Sequence, residues 1–76
     1  MKLANAIATM EDQGAFLLDV ALSGDERAIQ ILIDALKEMP KGERCLALLD
    51  AQCDADGRDD EVKLAANRLF HAVRDA

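Results

Sequence analysis

The segment Ser23-Gly24-Asp25-Glu26-Arg27-Ala28-Ile29-Gln30-Ile31-Leu32-Ile33-Asp34-Ala35-Leu36-Lys37-Glu38-Met39 narrows what this chain can fold into more than any other. Ser23 with Glu26 three residues on is a capping-box pattern, so a helix is expected to start there. Pro40 stops it, because the residue before a proline is pushed out of the helical region. At about 100° per residue, Ala28, Ile29, Ile31, Leu32, Ile33, Ala35, Leu36 and Met39 cover roughly 200° of the circumference. Gln30, Asp34, Lys37 and Glu38 fill the remainder. A helix lying on one neighbour needs an apolar stripe of only about 100°. This helix therefore expects cover on at least two flanks, as the centre of a core or the seam of an oligomer.

Upstream, Leu3, Ile7, Met10, Gly14, Leu17 and Ala21 alternate at spacings of four and three, the a/d seam of a helix packed side by side with another. The pattern predicts a helix from about Leu3 to Leu22. Gly14 on the seam either admits a close neighbour or marks a break. Phe16 and Val20 stand off the seam, so the helix either kinks near Gly14 or is apolar on two sides in its second half.

Downstream of Pro40, a short third helix is expected from Glu43 to about Cys53. Cys45, Leu46, Ala47, Leu48, Leu49, Ala51 and Cys53 make it apolar nearly all round. Leu46 and Leu48 point about 200° apart, so one neighbour cannot cover both. After the turn through Asp54 and Gly57, the acids Asp59, Asp60 and Glu61 open a fourth helix at the end where negative charge suits the dipole. Its apolar face is Val62, Ala65, Ala66, Leu69, Phe70 and Val73, opposite a stripe of Lys63, Asn67, His71 and Arg74, and fraying is expected at Arg74-Asp75-Ala76. The expectation is an all-α chain, a small antiparallel bundle of three to four helices forming one domain over residues 1–76.

So short a chain hides only about 60% of its extended surface, which leaves it marginal unless disulfides or oligomerisation add stability. Opening on Met1 with no tag or linker, it is expected to be a complete small product. No basic segment leads into an apolar one as in a secretion signal, and no apolar run approaches the roughly 20 residues of a bilayer span, so a cytoplasmic location is expected. The net charge of −6 repels nucleic-acid phosphates and anionic membranes. It suits a partner with a basic surface, and it also serves plain solubility. Cys45 and Cys53 on one helix would lie about 12 Å apart, beyond disulfide reach. They read as reduced core residues, with a bridge between two chains as the alternative.

Gly24-Asp25-Glu26-Arg27-Ala28 followed by Leu32-Ile33-Asp34-Ala35-Leu36-Lys37 resembles the first helix of a HEAT-like repeat. Glu43-Arg44 with the alanine-leucine helix after it is similar to that repeat's second helix, as is Asp60-Glu61-Val62-Lys63-Leu64-Ala65-Ala66. The resemblance covers at most half of the chain and implies a scaffold for protein binding, with no catalytic residues to carry over. No sustained repeat accompanies it, and fewer than three repeats do not make a stable solenoid.

No residue cluster carries recognisable chemistry. With Gly57 at position 6 of a calcium loop, Asp54 and Asp56 fall at 3 and 5, but Gln52 and Lys63 occupy the acid positions 1 and 12. A solvated turn accounts for these acids better. Cys45, Cys53 and His71 are too few for a zinc site and lack its spacing. His71 has no nucleophile to pair with, Ser23 being a cap, and the four glycines are scattered singly. Arg44 and Gln52 among apolar residues do not make a DNA-reading helix. No catalytic, cofactor or metal residue is therefore assigned.

What remains is apolar surplus. Off-stripe Phe16, Val20, Ile31 and Leu48 exceed what one small core needs, and exposed together they would form an interaction patch with Phe70 as a further anchor, unless the helices wrap closely enough to bury them in a monomer. The sequence reading is a non-enzymatic interaction module, a regulator, inhibitor or adaptor. It would be homodimeric and dock an acid-surrounded apolar face on another protein, one variant being the blocking of a nucleic-acid-binding partner's basic site. The alternative is a metal- or ligand-dependent sensor using the acidic 54–61 loop or the cysteines.

Overall fold

The computed structural model describes residues 3–74, and these hold five helices and no strand. They are α1 (Leu3–Thr9), α2 (Gln13–Leu22), α3 (Glu26–Glu38), α4 (Lys41–Ala55) and α5 (Asp60–Val73). The all-α expectation holds, with five helices in place of three to four. The fraying expected at Asp75 and Ala76 lies outside the described residues.

The extra helix comes from a break at residues 10–12, just ahead of Gly14, which divides the helix expected from about Leu3 to Leu22 near the residue where a kink or break was the open alternative. Breaking a helix orphans carbonyls on one side and N–H groups on the other. Two side chains supply partners. The Gln13 amide donates to the Ile7 carbonyl at 2.9 Å, closing the end of α1. The Asp50 carboxylate, arriving from α4, accepts from the Gly14 N–H at 2.7 Å and so caps α2 from another helix. Asp12, the local cap residue, makes no side-chain capping bond. Asp50→Ala is expected to lower stability by about 1–2 kcal/mol. Asp50→Asn, which keeps an acceptor oxygen, should cost less. Urea midpoints measure both, and equal midpoints for Asp50→Ala and wild type would show that the contact adds nothing.

Gly14 also sets how close α2 and α4 come. A Cβ at this position would lie 2.5 Å from the Asp50 carbonyl carbon and oxygen, and 2.7 Å from the Ala51 nitrogen. Of the two roles open to Gly14, close approach is the one it plays. The seam is also kept: Ile7, Gly14 and Leu17 are buried and Leu3, Met10 and Ala21 half-buried, on both sides of the break.

The start of α3 differs from the capping-box expectation. Asp25, in an extended conformation, is the N-cap, and its carboxylate accepts from the N–H groups of Arg27 and Ala28. Ser23 instead closes α2, donating to the Val20 carbonyl at 2.7 Å. Gly24 and Gly57, the residues after the ends of α2 and α4, take φ values of +76° and +80°, the left-handed turn that glycine accepts without a Cβ penalty.

The centre of the bundle is α2, which packs on α3, α4 and α5. The 23–39 helix, expected to be covered on at least two flanks as the centre of a core or the seam of an oligomer, has that cover from α1, α2 and α5, but the centre is α2. The physical reason is that α2 is apolar on nearly every side, with Phe16, Leu17, Leu18, Val20, Ala21 and Leu22 in succession, and such a helix belongs inside. By contrast α3 keeps a polar side and is covered by α1, α2 and α5. It buries Ile29, Leu32, Ala35 and Leu36. The consecutive α4 and α5 pack on each other across a short turn, whereas α3 and α4 are not among the extensively packed pairs. Of the segments that resemble a HEAT-like repeat, the 24–37 helix and the helix after Glu43 therefore do not pack extensively on each other, whereas the 24–37 helix does pack on α5, which holds the 60–66 segment.

Candidate protein-interaction surface

The two sides of α4 invert the usual order of large residues inside and small ones outside. Ala47, Leu48, Ala51 and Ala55, with Arg44, form its buried side. Leu46 and Leu49, at i and i+3, are 65% and 56% exposed, beside the exposed Cys45 and Cys53. Gly14 brings the backbone of α2 against that of α4 at Asp50 and Ala51, and the small side chains at 47, 51 and 55 suit so close an approach. The cysteines, expected in the core, therefore stand on the outward side as free thiols.

Between α4 and α5 a cleft of about 180 Å³ is lined by Cys45, Leu48, Leu49, Gln52 and Phe70, with no charged side chain. Two other grooves flank α3. One, about 370 Å³, has Phe16, Val20 and Ala28 with Asp19, Ser23 and Asp25 around them. The other, about 280 Å³, has Leu3, Ile31 and Ala35 between Asp34 and Glu38. Ala28, Ile31 and Ala35 fall at i, i+3 and i+7, so the two grooves follow one another along one flank of α3. All four of the carboxylate residues around them are exposed.

The sequence-chosen anchors are thus distributed rather than gathered into one patch. Phe16 and Val20 are half-buried and share the first groove; Ile31, 53% exposed, lies in the second. Phe70, 40% exposed, walls the α4–α5 cleft. Leu48 is corrected: at 6% exposure it belongs to the core and shows only an edge in that cleft. The exposed Leu46, Leu49 and Leu64 were missed. The 200° separation of Leu46 and Leu48 required one of them to face out; the alanines at 47, 51 and 55, on the side of Leu48, were the signal for which.

A wider depression of about 460 Å³ brings Cys53, Asp56, Lys63 and Asn67 to one place. It is where a sensor built on the 54–61 loop would bind. Among the described residues, no group of three His, Cys, Asp or Glu side chains is placed to hold a metal ion, and no helix is long and apolar enough to cross a membrane. Compared with protein-family models, curated proteins and solved structures, the chain matches none of them.

Proposed function

We propose that this chain is a small non-enzymatic interaction protein, a regulator, inhibitor or adaptor. It acts as a homodimer in the cytoplasm and holds an apolar, basic helical segment of another protein along the flank of α3. The observation that carries the reading is the pairing of apolar floors with acidic rims: Phe16 and Val20 beside Asp19 and Asp25, then Ile31 beside Asp34 and Glu38. From Ala28 to Ala35 the track runs about 10 Å, two turns of a bound helix. Apolar residues of that helix at i, i+3 and i+7 would enter the grooves, and its Lys or Arg residues would meet the rims. A net charge of −6 would speed encounter with such a segment and give it strong salt dependence. A nucleic-acid-binding protein fits this description, its basic site being what the acidic flank would occupy.

The test is recovery of bound proteins on the immobilised chain at low and high salt, with wild type, Ile31→Asp and the Asp19→Lys/Asp34→Lys pair. These side chains are exposed, so the fold is spared. Recovery of the specific partner should fall at least about tenfold with high salt and with each variant. Recovery indifferent to all three would sink the reading.

A further inference from the structure

We propose that the outward side of α4 is closed by a second copy of the same chain, with the two α4 helices antiparallel across a two-fold axis through Leu49. This rests on the reading of the chain as a dimeric interaction protein and specifies which face pairs and in what register.

A two-fold interface needs a face complementary to itself. The outward row of α4 has that property: Cys45, Leu49 and Cys53 fall at i, i+4 and i+8, so a half-turn about Leu49 exchanges the two cysteines. Leu46 and Phe70 add apolar area beside the row.

Charge separates this face from the other two. Pairing copies through the α3 grooves would set Asp19, Asp25, Asp34 and Glu38 against their own counterparts, whereas the α4–α5 cleft is lined by no charge. The ends of α4 are also wrongly signed for its own dipole. Lys41 stands at the amino end, Asp54 and Asp56 stand at the carboxyl end, and the last turn holds no basic residue; only Glu43 suits its place. An antiparallel copy brings Lys41 to the carboxyl end of the other helix, beside Asp56 of the partner subunit, and sets the two dipoles in opposition.

Packed helices have axes about 8–10 Å apart. In this register the Cα atoms of Cys45 and the partner's Cys53 come to about 5–7 Å, within or close to disulfide reach. Like pairs, Cys45 with the partner's Cys45 or Cys53 with the partner's Cys53, are displaced about 12 Å along the helices and cannot be bridged.

The register is tested with the full chain carrying Cys45→Ser or Cys53→Ser, both exposed positions. Copper(II)–phenanthroline takes up the two electrons, and solvent the two protons, that a thiol pair loses on forming a disulfide. Neither variant alone should give a covalent dimer. An equal mixture should give one from up to roughly half of the chains, as random pairing dictates, and wild type should give more. Sedimentation should show wild type as a dimer and Leu49→Asp, which sets two carboxylates on the axis, as a monomer with unchanged circular dichroism. No dimer in the mixture, equal crosslinking of either variant alone, or a monomeric wild type overturns the proposal. A monomer whose partner recovery still responds to salt and to Asp19→Lys/Asp34→Lys leaves the α3 docking reading in place. A crosslinked dimer with no such response removes that reading and keeps the α4 pair.

Discussion

Gly14→Ala is expected to lower the thermal unfolding midpoint by roughly 15 °C, from an overpacking cost of about 2–3 kcal/mol in a domain of this size. The sign is the informative part. Inside a helix the same exchange ordinarily stabilises by about 0.5–1 kcal/mol, because glycine has more backbone freedom to lose. Here the added methyl meets backbone atoms of Asp50 and Ala51, which cannot swing aside as a side-chain tip would. Gly42→Ala is the matched control: it lies within α4, and its added Cβ would meet nothing within 4 Å. Its midpoint should stay level or rise slightly. A rise at Gly14→Ala as well would mean that α2 and α4 sit farther apart than described.

Leu36→Ala is expected to cost about 2–5 kcal/mol, since Leu36 is fully buried where α3 joins the core and its truncation would leave a cavity. A chain of this length has only about 4–11 kcal/mol of stability in all, so much of the population should unfold at moderate urea. Leu64→Ala, at a position 67% exposed on α5, should change stability by no more than about 0.5 kcal/mol. Urea titration followed by circular dichroism compares the two. Similar losses from Leu36 and Leu64 would contradict the packing of α3.

The helical class and the faces of α5 were legible because each depends on local spacing. Val62, Ala65, Ala66, Leu69 and Val73 repeat at helical intervals and are buried as a set. A break near Gly14 was one of the outcomes the sequence left open, and local spacing could not decide it because one of its supports is distant: the carboxylate that caps α2 belongs to Asp50, 36 residues away from Gly14. The cap of α3 was misplaced by two residues because Ser23 and Asp25 are both good capping types, and only the backbone at Asp25 decides between them. The 200° between Leu46 and Leu48 said that one neighbour could not cover both but not which of them faces out, and Leu48, taken as the surplus one, is the buried one. Of the off-stripe residues, Ile31 is exposed while Phe16 and Val20 are half-buried against the core, and their separation into two grooves depends on how α1 and α2 cross α3.

The inward alanines of α4 and the outward Leu46 and Leu49 divide its obligations. Positions 47, 51 and 55 answer to the spacing of the bundle, while 46 and 49 carry almost none of the folding free energy of a single copy. On the α4 pairing proposed above, mutation at the latter pair would change association while each molecule remained as well folded as before, and the two properties would be free to evolve apart.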